Sequence, residues 1–289
     1  MSGGRVATLS SYAELTKPRL LPLVVLSGLP PLLMTAAAPG PAVLATILAG
    51  ILLCAASANV LNCYVERERD ALMERTRSRP LPAARLTPRA ALAFGLTLGV
   101  VSTVVLLGVG GGLSAGLGVA SILFYVFVYT VWLKPRSAWN AVIGGVAGAA
   151  APLIADAAVH GQVTAAGWWL FAIIFFWQPP HVWAIALYRK RDYESAGIPM
   201  LPNVIGDQPT RWRMLGYTIG LIPVAVAPAV LGLLGPLYAV AATGLCGWFV
   251  LEAVRVVRER TDAAARRMFR VSLAVLFGLF LAMLADLAL

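Results

Sequence analysis

Asn62, Glu66 and Asp70 recur every four residues and therefore share one face of a helix. Two carboxylates and an amide oxygen are hard ligands. They suit Mg2+, which keeps some waters and completes its shell with substrate phosphate oxygens. The arginines that follow, Arg75, Arg77 and Arg79 in the run from Arg75 to Pro80, can clamp phosphate oxygens through charge-assisted hydrogen bonds. A plainer reading is a solvated helix end whose acids pair with neighbouring arginines, and the pattern alone leaves both open. Position favours function, because polar groups that continue out of an apolar span are expensive to keep there.

A second cluster runs Trp177-Gln178-Pro179-Pro180-His181-Val182-Trp183, continues through Tyr188-Arg189-Lys190-Arg191-Asp192-Tyr193, and ends in Gly197-Ile198-Pro199-Met200-Leu201-Pro202. Two consecutive prolines predict a broken helix ladder at lipid depth, an irregularity tolerated where the chain lines a cavity. His181 has the chemistry of a metal or haem ligand, a proton carrier or a hydrogen-bonded core residue. Trp177 and Trp183 serve either as pocket walls or as an interfacial belt. A smaller third set is Tyr125 and Tyr129, one turn apart, followed by Lys134, Arg136 and Asn140. It reads either as a lateral approach to a diphosphate or as interfacial tyrosines with ordinary topology-setting charge.

The elements that position these groups follow from composition. Sixty per cent of residues are apolar and 12% charged, with a mean hydropathy of +0.81, whereas a soluble domain carries about a quarter charged residues. Stretches approaching the roughly 20 residues that span a ~30 Å hydrocarbon core begin near Leu20, Ala42, Ala90, Gly112, Asn140, Ala165, Met214, Leu237 and Val271. Lipid demands that backbone groups be satisfied within the segment, so the expected fold is an all-α integral membrane protein of nine helices. A single domain over residues 1–289 is expected, since no connection is long enough to build a soluble one.

Charge placement sets the expected orientation. On nine spans, all 23 basic residues fall before span one or in the loops after spans two, four, six and eight, beginning with Arg5, Lys17 and Arg19. This is the positive-inside pattern. It predicts a cytoplasmic N-terminus and working face and a C-terminus outside, and it accounts for the net charge of +10 without a nucleic-acid partner. Residues before Lys17 lead straight into the first span without a cleavage site, so no removable signal peptide is expected. The loops after spans two and six lie four helices apart, which suggests an internal repeat with the site between its halves. Cys54, Cys63 and Cys246 lack pairing or metal-ligand spacing and read as buried small hydrophobes. Asp156 and His160, at the outer end of span five, receive no role from the pattern.

Taken together, these motifs resemble the UbiA-type intramembrane prenyltransferases, and within them the branch acting on haem. The resemblance runs through Lys17-Pro18-Arg19, the Asn62, Glu66, Asp70 face, Arg75 to Leu81, Tyr129 to Lys134 leading to Asn140 and Gly144-Gly145, and, most specifically, Trp177 to His181 with Asp192-Tyr193 and Gly197 to Pro202. It covers nearly the whole chain and implies a UbiA-like helical bundle with a cavity on the cytoplasmic side of the cell inner membrane. The implied reaction moves a farnesyl group from farnesyl diphosphate to a vinyl group of haem B, water adding to give haem O, with Mg2+ as cofactor and a haem A synthase downstream. Position by position, Asn62, Glu66 and Asp70 would hold Mg2+ and diphosphate as the catalytic set, and Asp192 would help a second metal. Lys17, Arg77, Lys134 and Lys190 would contact the diphosphate beside Arg75, Arg79 and Tyr129, while His181, Trp177 and Gln178 would face haem.

Three departures bear on this. Glu66 stands where many members have Asp, Cys63 where quinone-type members place another Asp, and Ala196 where a second carboxylate of the later motif would fall. Two other functions fit the same outline. A secondary transporter shares the many spans but needs polar groups near the midplane and access from both sides, and a prenyltransferase for another aromatic acceptor differs only in the acceptor. A purely structural membrane subunit is a third.

Overall fold

The chain is described by a computed structural model over residues 2–35 and 39–289, with the backbone alone for residues 2–8, so the side chain of Arg5 lies outside the described residues. The described residues are helical and turn, with no strand. The helices are α1 (Ser2–Leu15), α2 (Leu21–Leu33), α3 (Pro41–Leu72), α4 (Pro88–Leu123) continuing as a π-helical stretch (Phe124–Leu133), α5 (Asn140–Ile143), α6 (Gly145–Gly148), α7 (Ala150–His160), α8 (Ala165–Tyr188), α9 (Lys190–Ser195), α10 (Leu201–Ile205), α11 (Asp207–Val230), α12 (Pro236–Glu259) and α13 (Asp262–Leu287). Seven segments among the described residues are long and apolar enough to cross a membrane: Pro41–Leu72, Pro88–Leu133, Asn140–His160, Ala165–Tyr188, Asp207–Val230, Pro236–Glu259 and Asp262–Leu287.

Two of the predicted boundaries take another form. The stretch Pro88–Leu133 runs for 46 residues but is broken at Gly111, whose φ of 76° and ψ of 179° belong to a region open to glycine. The chain reverses there, inside what the sequence places as a tight outer turn. The first apolar helix, α2, has only 13 residues, about 20 Å at 1.5 Å per residue, which is shorter than the hydrocarbon core.

Helix ends follow their local chemistry. Thr87 precedes Pro88 and its hydroxyl accepts from the Ala90 amide at 3.2 Å, and Thr261 does the same for Ala264, each satisfying one of the orphan amides of a first turn. Two turns are tied by acids. Asp156 accepts from the backbone amide and hydroxyl of Thr164 and pairs with His160 Nδ1 at 2.9 Å. Asp286, near the end of α13, accepts from the amides of Gly235 and Tyr238 that open α12. Asp156 and His160 thus receive a structural role, fastening α7 to the start of α8.

The bundle has two main cores. One gathers Leu32, Ile47, Ile51, Leu106 and Ile154 from α2, α3, α4 and α7, and the other gathers Leu170, Met214, Phe249, Val275 and Phe280 from α8, α11, α12 and α13. In the first, α3 and α4 approach closely through small residues. Ser57 Oγ donates to Gly95 O and Ser102 Oγ to Gly50 O, both at 2.8 Å, and a Cβ on Gly50 or Gly95 would strike Leu106 or Leu61. Close backbone approach with hydroxyl bonds is how helices adhere where water supplies no hydrophobic drive. The three cysteines are buried and free, as expected.

Helix α8 departs from expectation. It continues without interruption from Ala165 to Tyr188 through Pro179 and Pro180. Each proline removes one amide from the ladder, but its fixed φ is helical, and packing of α8 against α11, α13 and α7 holds it in register.

Candidate active site

The acidic face of α3 is buried: Asn62, Glu66 and Asp70 are 1%, 3% and 1% exposed. Each is held by a cation from another element. Lys17 Nζ, between α1 and α2, donates to Asn62 Oδ1 at 2.9 Å. Lys134, which ends the π-helical stretch, forms an ion pair with Glu66. Arg79 Nη1 donates to Asp70 Oδ2 at 2.7 Å, and Thr76 Oγ1 donates to the Asp70 carbonyl at 2.8 Å, closing the loop around it. The plainer reading, acids paired with neighbouring arginines at a solvated surface, holds in part: Asp70 does pair with the nearby Arg79, but both acids are buried and the partner of Glu66 comes from a distant part of the chain.

Backbone geometry adjusts to the cluster. Lys17 holds a φ of 55°, a left-handed conformation that costs a side-chain-bearing residue energy and concentrates at functional positions. In the π-helical stretch, the Lys134 amide bonds back five residues to Tyr129 O at 2.8 Å, and such widened turns recur at functional sites. The stretch stacks Tyr125 on Tyr129, ring centres 5.2 Å apart, with Lys134 Nζ 5.8 Å from the Tyr129 ring centre. Gly144 lies beside Tyr129, where a Cβ has no room.

Charge is strongly perturbed here. Burial lowers the pKa of Lys17 below the ordinary lysine value, with Arg79 and Lys134 acting in the same direction. Burial works against the charge of Lys134 as well, yet Glu66 beside it holds that ammonium above the usual range. Arg79 is likewise desolvated, and Asp70 raises it nevertheless.

The later motif packs onto the earlier one. Met73 lies among Ala186, Tyr193, Ala196, Ile198 and Met200, and Ser195 Oγ, which donates to Asp192 O at 2.9 Å, lies 3.4 Å from Leu72 O. Ala196, the position without a carboxylate, is therefore a packing residue 6% exposed. Asp192 Oδ2 is buried without a hydrogen-bond partner, with Arg189 Nη1 at 3.7 Å. Asp70 Oδ1 is also buried and unpartnered. Such orphaned carboxylate oxygens cost several kcal/mol unless a ligand satisfies them, and hard oxygens of this kind fit Mg2+. Among the described residues no three His, Cys, Asp or Glu side chains stand close enough to hold an ion unaided. Other expected groups lie outside this cluster: Arg75 and Arg77 are exposed, and Lys190 pairs with Asp207 at 3.0 Å.

A cavity of 260 Å3 lies between the two cores, lined among others by Asn59, Tyr125, Gly148, Trp177, Gln178 and His181. Gln178 Nε2 donates to Gly145 O at 3.0 Å, lying against Gly148 where a Cβ would intrude. Trp177 Nε1 donates to Ser272 O at 2.7 Å and its ring stacks on His181 at 4.3 Å. The Trp177 reading as pocket wall holds. Trp183 is fully buried and belongs to neither the cavity nor an interface belt.

Sequence reading missed Thr130 and Ser272. Asn62 Nδ2 donates to Thr130 Oγ1 at 3.0 Å, and Thr130 Oγ1 donates to Tyr125 O at 2.7 Å. Each is a lone hydroxyl in an apolar span, and the available signal was that Thr130 follows Tyr129 inside the aromatic run.

Three comparisons bear on this architecture. The profile of the UbiA prenyltransferase family matches residues 21–284. The chain is 44% identical over 287 residues, 97% of its length and 91% of the relative's, to a protoheme IX farnesyltransferase of Rhodopseudomonas palustris strain BisB5. It is 45% identical over 278 residues, 95% and 93% of the two chains, to a protoheme IX farnesyltransferase of Symbiobacterium thermophilum. The fold is similar to a digeranylgeranylglyceryl phosphate synthase, with a TM-score of 0.75 at 16% identity over 97% of this chain and 98% of that one. It is also similar to a UbiA homologue from Archaeoglobus fulgidus bound to GPP and Mg2+, with a TM-score of 0.69 at 13% identity over 96% and 100%. The all-helical, multi-pass architecture and nearly full-length similarity agree: this chain belongs to the UbiA prenyltransferase family.

Proposed function

We propose that the protein transfers a farnesyl group from farnesyl diphosphate to a vinyl group of haem B, with addition of water, releasing diphosphate and haem O. The observation that carries this reading is a single cavity with the Tyr125 end beside the cation-and-acid cluster and the Trp177, His181 end walled by aromatic rings. Relatives more than 40% identical over nearly the whole chain are named for this reaction.

Lys17, Lys134 and Arg79 bring positive charge to where a diphosphate would leave, and Asn62, Glu66, Asp70 and Asp192 would hold Mg2+ against it. When bound, Mg2+ supplies charge neutralisation of the leaving group. Arg75, Arg77 and Lys190, which lie outside the buried cluster, would add positive charge for the diphosphate from the exposed side, and Tyr129 would line its approach. The preorganised cations stabilise the negative charge that develops as the carbon–oxygen bond breaks. Tyr125 and Tyr129 offer ring faces to the allylic cation, and the apolar walls keep bulk water from it until the vinyl carbon attacks. Gln178, Trp177 and His181 face the porphyrin.

In this reading residues 1–289 act as one domain of nine spans, counting α2 and the two arms of Pro88–Leu133 on either side of Gly111. The N-terminus and the cluster lie on the cytoplasmic side of the inner membrane, the C-terminus outside, and a haem A synthase takes the product.

The test is incubation of the purified protein in detergent with haem B, farnesyl diphosphate and Mg2+, followed by mass spectrometry. Haem carrying farnesyl plus water, lost on chelation, is the expected product. Its absence from protein that binds both substrates overturns the haem assignment and directs the search to other aromatic acceptors.

A further inference from the structure

The His181 imidazole is engaged at one face and one nitrogen, with a second aromatic ring close by. Trp177 stacks on one face at 4.3 Å, and Phe269 lies near the ring at 4.8 Å. Nδ1 is 2.6 Å from Ser272 Oγ. Nε2 has no partner among the described residues and is not sealed in the protein interior, on a ring that lines the cavity.

Ser272 decides which nitrogen carries the proton. Its hydroxyl, fully buried on α13, lies 2.7 Å from Phe269 O, a carbonyl that can only accept. A hydroxyl has one hydrogen to give. Were that hydrogen given to Nδ1, two oxygen lone-pair regions would face each other at hydrogen-bond distance inside the bundle. Given to Phe269 O, it leaves Oγ as an acceptor, and Nδ1 must then bear the proton. The same residue's carbonyl accepts from Trp177 Nε1 at 2.7 Å, so one residue of α13 fixes both the tautomer of the histidine and the ring stacked upon it.

We propose that Ser272 is a positioning residue that locks His181 as the Nδ1–H tautomer, so that Nε2 presents its lone pair to the cavity and ligates the iron of the haem acceptor. Histidines that bind metals nearly always donate their other ring N–H to a fixed acceptor, which sets tautomer and ring orientation. Ser272 stands in that position. The stacked Trp177 and the neighbouring Phe269 restrict rotation, so ligation sets the place of the porphyrin and with it the distance of its vinyl group from the farnesyl carbon. This rests on the haem reading above.

The chain has two histidines, and His160 is far from this site in the turn held by Asp156, so protein labelled with 15N-histidine in a His160→Gln background reports one imidazole. The expected spectrum shows Nδ1 protonated and Nε2 bare. Ser272→Ala removes the acceptor and should shift the ring toward Nε2–H, weaken ferric haem binding by about tenfold or more and abolish the nitrogen-ligand Soret signature. Farnesyl diphosphate binding, measured on the same sample as a check of folding, should not change. Ser272→Thr keeps the oxygen and should restore both readouts. An unchanged tautomer and haem affinity in Ser272→Ala overturns the proposal, as does equal loss in Ser272→Thr. A protein whose tautomer depends on Ser272 but which binds no haem overturns the haem reading instead, and leaves the lock in place.

Discussion

At the scale of single residues, the site is built by hydroxyls that have already committed their hydrogen. Thr130 gives its own to Tyr125 O and so can only accept from Asn62. That turns the Asn62 amide nitrogen inward and its oxygen toward Lys17, the orientation a cation ligand requires. Thr130→Val should let the amide turn and lower turnover by about tenfold or more, whereas Thr130→Ser should retain most of it. Equal activity in both variants would remove Thr130 from the machinery. Lys17 gives a pH prediction with a definite sign. Burial lowers its pKa, so on raising the pH it loses its charge before an ordinary lysine does, while Lys134, held up by Glu66, stays charged. Diphosphate binding should therefore weaken on the alkaline side, and Lys17→Arg should move that limb to higher pH. An alkaline limb unmoved by this change would assign it elsewhere. The acids and cations were legible in the sequence because their types and four-residue spacing are local. Their pairing was not, since Lys17, Lys134 and Arg79 reach α3 across 45, 68 and 9 residues, and Thr130 and Ser272 look like any hydroxyl in an apolar span.

At the scale of elements, the acidic face is only as well placed as the contact of α3 with α4. Gly95 sits where a side chain would strike Leu61 and Val60, next to Asn62 in sequence, whereas Gly108, farther along the same helix, has open space around it. Gly95→Val should destabilise the bundle by about 1–3 kcal/mol through overpacking and reduce turnover further by displacing Asn62. Gly108→Val should do little to either. Thermal unfolding in detergent beside the activity assay separates the two effects, and similar behaviour of both variants would mean that close approach of α3 to α4 is not what places the site. Helices were legible here from apolar length alone. Where prediction and structure part, the cause is local: Gly111 makes a turn so tight that two arms read as one 46-residue segment, and Pro179 and Pro180 ride within α8 because neighbouring helices support the ladder they weaken.

At the scale of the whole molecule, two main cores flank a cavity, and cations from three separate parts of the chain sit on the amide and the two acids of α3. That arrangement couples the ligands. Mg2+ arriving alone must displace Lys134, Arg79 and Lys17 from buried oxygens, stranding the charges of all three, which is costly where they are out of water. Arriving with a diphosphate, it gives those same cations new partners. Mg2+ affinity should therefore rise by roughly 5–150-fold in the presence of a non-ionisable farnesyl diphosphate analogue, the usual range of linked binding, with the reciprocal gain for the analogue. Calorimetry corrected for the Mg2+–analogue complex in solution measures both. Lys134→Met sharpens the test. It frees Glu66, so the variant should bind Mg2+ alone more tightly than the parent protein while losing affinity for the analogue, and the coupling between them should shrink. Were the cations mere surface neutralisers, Lys134→Met would weaken the analogue and leave Mg2+ binding as it was.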